Sequence, residues 1–62
     1  MKGVSSVIRV LIADDHQLVR DGLRGILATA SGIEVTAEAA NGDETLALVR
    51  ARPFDVALLD MS

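Results

Sequence analysis

Three carboxylates in this chain ask for a chemical explanation: Asp14, Asp15 and Asp60. The first two are adjacent and follow directly on the apolar residues 10–13 of "RVLIADDH". The third closes a second apolar run, "FDVALLD". Carboxylates brought together either share a proton or hold a cation. A donor set made only of oxygens suits a hard ion, Mg²⁺ above the others. Beside such an ion a carboxylate can also attack phosphorus and form an aspartyl phosphate. The metal offsets the repulsion between the two anions and orients the transfer. Asp60 stands alone at its strand end and is the candidate nucleophile, whereas Asp14 and Asp15 are a pair suited to the metal. The plainer alternative for an acidic pair before a helix is a cap with a favourable dipole interaction. Convergence of Asp60 on the pair is what separates the two.

The elements that must position these groups follow from hydrophobic periodicity. Residues 7–13 are apolar apart from Arg9, which predicts a strand buried on both faces. Leu18, Val19, Leu23, Ile26, Leu27 and Ala30 fall on one face of a helix over 17–30, with Arg20, Asp21 and Arg24 on the other side. Asp15 is placed to cap that helix, and Gly32 to end it in a left-handed turn. Residues 33–40 alternate, with Val35, Ala37 and Ala39 on one side and Glu34, Thr36 and Glu38 on the other. That predicts a half-buried edge strand. Asn41 and Glu44 have the spacing of a capping box. A short helix over 45–52 follows, with Leu46, Val49 and Leu48 inward, and Pro53 stops it. Residues 54–59 predict a second buried strand.

The order is β-α-β-α-β. Right-handed crossovers join parallel strands almost without exception. With the alternating strand at an edge and the two apolar strands side by side, the spatial order is 2-1-3. The winding then reverses between strands 1 and 3, and ligands of open α/β sheets bind beyond the carboxyl ends of the strands at such a point. Asp14, Asp15 and Asp60 all lie at those ends. Asp55 opens the third strand, lies at the opposite rim, and is assigned no chemistry. His16 reads as a partly exposed polar residue at a helix start, with hydrogen bonding to the acids or contact with a partner as its alternatives. Asn41-Gly42 reads as a turn and cap, since it lacks the context of a nucleotide-binding loop.

Composition narrows the class. The chain has 62 residues, room for one small domain. Half of the residues are hydrophobic and Phe54 is the one aromatic, so the core must be built from Val, Ile, Leu and Ala. There is no Cys, which excludes a disulfide framework or a thiolate metal site. The net charge is −3 with the basic residues dispersed, a poor match to a nucleic-acid surface. No apolar run reaches the length of a membrane span, and the opening "MKGVSSV" has no signal-peptide character. A cytoplasmic setting is expected.

"VLIADDHQLVRDGLRGIL", "EVTAEAANGDETLALV" and "PFDVALLDMS" together resemble the receiver domain of bacterial two-component response regulators. The spelling "IADDH…VRDGLR" followed by "EAANGDE" is most similar to the NarL/FixJ subgroup. The resemblance implies a flavodoxin-like (CheY-like) doubly wound α/β fold, Mg²⁺ as cofactor, and phosphoryl transfer from a sensor histidine kinase. Position by position it implies Asp60 as phosphoacceptor and Asp14 and Asp15 as the acidic pair at the metal, with Asp15 favoured as direct ligand. Ser62 matches the position whose backbone carbonyl completes the metal shell. The first helix is implied as a kinase-docking surface near His16, Gln17 and Arg20.

The family pattern continues beyond "DMS" with two further β-α units, a final helix and a DNA-binding helix-turn-helix domain. Those units carry a hydroxyl residue and a Lys that serve the phosphoryl group, and Lys2, ahead of the first strand, cannot replace that Lys. Residues 1–6 are therefore expected to be an N-terminal tail and 7–62 a truncated receiver domain, not itself an enzyme, whose parent controls transcription. DNA would be met only through the further domain. A third strand left as a bare sheet edge is expected to make the isolated chain self-associate by edge pairing or segment exchange. A phosphorylation-incompetent module that self-associates or binds kinase is the alternative function. An acidic-site hydrolase fits less well, because its paired acids would not be adjacent.

Overall fold

The computed structural model describes residues 7–60. The predicted tail 1–6 and Ser62 lie outside them. Five elements follow in the expected order: β1 (Ile8–Asp14), α1 (Gln17–Ala28), β2 (Ile33–Ala39), α2 (Gly42–Ala51) and β3 (Val56–Asp60). The three strands are parallel in the order β2-β1-β3. This is the partial CheY-like α/β arrangement that the sequence predicts.

The central strand holds the core. Val10, Leu11, Ile12 and Ala13 are buried, and so is Ala39 of β2. Leu11, Ala13 and Ala39 form a cluster with Ala37, Leu48 and Phe54, so that face of the sheet packs on α2. Val10, Ile12 and Asp14 alternate to the opposite face, where α1 contacts β1 and β2. Full burial of Leu11 and Ile12 contributes about 1.5–3 kcal/mol for each side chain.

A register shift between Val10 and Leu11 changes the phase of β2. Val10 pairs with Val35, but Leu11 pairs with Ala37, so Thr36 is the extra residue. The predicted single apolar row of Val35, Ala37 and Ala39 is thereby split. Ile33 and Val35 lie on the α1 side, where they line a cavity with Arg24 and Ala28. Ala37 joins the cluster on the α2 side. Glu38, paired with Ile12, is brought round to α1. The cost is local: Thr36 Oγ1 is buried with no hydrogen-bond partner among the described residues.

The helix ends differ in how closely they follow expectation. Asn41 caps α2, its side chain accepting from Glu44 N–H at 2.9 Å, while Glu44 Oε1 accepts from Ala40 N–H at 2.8 Å. Such a reciprocal cap is worth about 1 kcal/mol. Asp15 does not cap α1. The N-cap position is His16, and it makes no side-chain cap hydrogen bond. Thr29 is the C-cap of α1, and Gly32 (φ +83°) turns the chain into β2 three residues later. Its carbonyl accepts from Ile8 N–H at 2.7 Å.

Three burial expectations are corrected. All of β3 is exposed, with Leu59 at 62%. Among the described residues it pairs with β1 alone. On α1 the inward stripe is Arg20, Leu23 and Leu27, while Leu18, Val19 and Ile26 are exposed. The helix has rolled about its axis so that an arginine, not an apolar residue, occupies the first inward position. On α2 the inward residue is Leu48, and Leu46 and Val49 are exposed.

Candidate functional site

The carboxyl rim of the sheet gathers the acids. β1 delivers Asp14 as its last residue, and the chain must turn at once to start α1 three residues later. Asp14 and Asp15 therefore sit on the turn between a buried strand and a helix N-terminus. β3 delivers Asp60 at its own end, directly paired with Asp14 in the parallel register. Neighbouring strands are about 4.8 Å apart, so this pairing sets the two backbones side by side at one rim. Asp55 lies at the other rim, as expected.

Asp14 is the most constrained of the three. It is buried, with 1% exposure, in a fold whose other buried residues are apolar. Its Oδ1 accepts from His16 N–H at 2.8 Å. Its Oδ2 is buried with no hydrogen-bond partner among the described residues. A buried, unpartnered carboxylate oxygen is costly in the absence of a counter-charge. Asp15 is exposed beside it. His16 Nδ1 lies 2.9 Å from Asp15 Oδ1 and 3.3 Å from Asp14 Oδ1. Nδ1 is thus within hydrogen-bond distance of both acids. Ligand atoms of Asp14, Asp15 and His16 all lie within 4.8 Å of one another.

The sequence-derived site residues are brought together unevenly. Asp14 and Asp15 converge as expected. Asp60 is level with Asp14 on the adjacent strand but is not one of the three groups in that tight cluster, and its side chain is exposed. Ser62 falls outside the described residues. His16 is closer to the acids than a generic polar helix start requires. Arg20 was expected on the outer face of α1; instead its Nη1 donates to the Asp14 carbonyl at 2.6 Å and its Nε to Glu38 Oε1 at 3.3 Å. Arg20 shares the inward row with Leu23 and Leu27, at intervals of three and four residues.

The donor chemistry fits a hard cation. The acids at this rim offer only carboxylate oxygens, and the unpartnered Asp14 Oδ2 is an acceptor with lone pairs to give. At the opposite rim the acid is already used. Asp55 accepts from the Arg9 backbone N–H at 2.8 Å and pairs with its guanidinium at 3.2 Å. These hydrogen bonds hold the Asp55 carboxyl below its ordinary value.

Residues 10–62 match the family model described as the response regulator receiver domain. The chain is similar to the response regulator UvrY of Escherichia coli (strain K12), with 46% identity over 56 residues, covering 90% of this chain and 26% of that protein. It is similar to the transcriptional regulatory protein YhcZ of Bacillus subtilis, with 46% identity over 55 residues, covering 89% of this chain and 26% of that protein. It is also similar to the response regulator GacA of Pseudomonas aeruginosa, with 42% identity over 55 residues and the same two coverages, 89% and 26%. The chain spans about a quarter of the length of these curated relatives. No solved structure matches.

Proposed function

The chain belongs to the response regulator receiver domain family, and from that membership we propose that Asp60 accepts a phosphoryl group from the phosphohistidine of a sensor histidine kinase. What supports this most is the strand register that pairs Asp60 with Asp14 at the carboxyl rim of adjacent parallel strands. In the transfer, an Asp60 carboxylate oxygen forms the new bond to phosphorus as the phosphorus–nitrogen bond of the donor breaks. The imidazole leaves with the electron pair of that bond and takes up a proton. Asp14 and Asp15, with Asp60 and the Ser62 carbonyl, would hold Mg²⁺. When bound, the ion would supply charge neutralisation at the phosphoryl oxygens and help to orient the in-line transfer.

The chain's own residues account for the rest. Asp14 is fixed by burial and by the His16 amide, so it cannot swing to become the nucleophile. Asp60 is exposed at the carboxyl end of β3, which leaves it open to a donor. The start of α1, with exposed His16, Gln17 and Leu18, borders the acids and is the surface on which the kinase would dock. Among the described residues no helix is long and apolar enough to cross a membrane. In the longer protein, phosphorylation would control transcription through a separate DNA-binding domain.

The test is incubation with Mg²⁺ and a small phosphodonor such as acetyl phosphate, followed by intact-mass measurement. One acid-labile phosphoryl adduct is expected, absent from Asp60→Asn and absent when EDTA replaces Mg²⁺. An adduct that persists in Asp60→Asn would overturn the assignment.

A further inference from the structure

Arg20 touches the acidic site through the backbone and not through a carboxylate. Its side chain is only 15% exposed, low for an arginine on the first turns of a helix. Nη1 donates to the carbonyl of Asp14 at 2.6 Å. That carbonyl belongs to the peptide unit joining Asp14 to Asp15, so the bond fixes the plane from which both acids project. On its other side Arg20 Nε donates to Glu38 Oε1 at 3.3 Å. Glu38 Oε2 in turn accepts from Arg24 Nη1 at 2.6 Å, and Arg24 Nη2 reaches Asp21 Oδ1 at 3.3 Å. The network contains two cations, Arg20 and Arg24, and two anions, Glu38 and Asp21. Its charge is balanced, so it can anchor the turn without setting a net positive charge beside a cation site.

We propose that Arg20 is a positioning residue for the acidic site: it holds the Asp14–Asp15 peptide in the orientation that lets the two carboxylates bind a divalent cation. The proposal deepens the phosphoacceptor assignment and rests on it. Glu38 and Arg24 hold the guanidinium in place. The fork of an arginine is needed, since one donor must serve the carbonyl and another the carboxylate at once.

Coulomb's law and positioning predict opposite signs, and this makes the idea testable. If Arg20 acted only as a nearby charge, its removal would tighten binding of a cation to the acids. If it positions them, its removal weakens binding, by about tenfold, as is typical when a supporting partner of a metal ligand is lost. The experiment is an Mg²⁺ titration of the full chain followed by ¹H–¹⁵N spectra, with Arg20→Gln, Arg20→Lys and Leu23→Ala compared to wild type. Leu23 shares the inward stripe of α1 but makes no hydrogen bond to the rim, so its variant controls for lost stability. Arg20→Gln is expected to weaken Mg²⁺ binding, Arg20→Lys to weaken it less, and Leu23→Ala to leave it unchanged in the folded protein. Equal or tighter binding in Arg20→Gln would overturn the proposal, as would equal weakening in Leu23→Ala.

A second measurement keeps the two assignments apart. The His16 amide, bonded to Asp14 Oδ1, should exchange with solvent faster in metal-free Arg20→Gln than in wild type, with the Leu11 and Ile12 amides unchanged. Unaltered His16 exchange would sink the positioning role even if Mg²⁺ binds. Absence of Mg²⁺ binding to wild type would instead sink the phosphoacceptor assignment, and the exchange comparison would still decide for or against Arg20.

Discussion

Replacing Asp14 by Asn should make the metal-free protein more stable while removing its response to Mg²⁺. Asp14 is 1% exposed, and one of its oxygens, Oδ2, has no hydrogen-bond partner among the described residues. Leaving a buried acceptor unpaired costs about 1–3 kcal/mol, and more when it is charged. Asparagine keeps the Oδ1 that accepts from His16 N–H and removes the charge beside Asp15. The gain falls at the low end of that range, because the new amide brings its own donors into the same buried space. A gain of about 1 kcal/mol corresponds to about 4–8 °C in the thermal midpoint of a domain this small. Mg²⁺ at a hundred times its dissociation constant should stabilise the wild type by about 2.7 kcal/mol and the variant not at all. The order of stability therefore reverses between EDTA and saturating Mg²⁺. Far-UV circular dichroism melts in both conditions read the reversal. An Asp14→Asn variant that melts below wild type in EDTA would refute the reasoning, because the carboxylate would then be stabilising without a cation.

Two further outcomes follow from the core and from the opposite rim. Leu11→Ala, at a fully buried position on the central strand, should cost about 3 kcal/mol by lost transfer energy and cavity formation, a large share of the stability of so small a domain, readable by urea denaturation. The Arg9–Asp55 pair gives a pH dependence whose sign is fixed. Asp55 has a folded pKa below its ordinary value of 3.8, so its contribution is fully present above that value and is lost as pH falls through the lower, folded one. Both groups are exposed and the effect is small. Asp55→Asn should flatten the acid limb of the stability profile, and an unchanged limb would show that Arg9 does not hold this carboxylate in solution.

The positions of the acids were legible in the sequence because strand ends are. Apolar runs that stop on Asp14 and Asp60 define both the strands and their rim, and the order 2-1-3 follows from setting the alternating strand at an edge and the two apolar runs side by side. The cap at Asn41 was legible for a similar reason, since its chemistry is local and complete within four residues. The errors share a different origin. Val35 and Ala37 were placed on one face because strict alternation assumes an unbroken ladder, and nothing in "EVTAEA" announces the extra residue at Thr36. Arg20 was placed outward because a charged residue defaults to solvent. Its inward position depends on Glu38, eighteen residues away, and on a backbone carbonyl, which no hydropathy pattern encodes. Leu58 and Leu59 were read as buried from their type alone, whereas burial depends on which elements lie over them.

The extra residue in β2 works as a phase setting for the whole rim. Drawing Thr36 into the ladder would restore even alternation and rotate every side chain before it by half a pleat, or, if the start of the strand stayed fixed, swing Glu38 to the far surface. In the second case Arg20 would lose its carboxylate partner and its grip on the turn that bears the acids. The bulge is therefore felt at the start of the neighbouring helix, and deletion of Thr36 alone, which removes the extra residue without changing either face, should leave the Arg20–Glu38 contact in place.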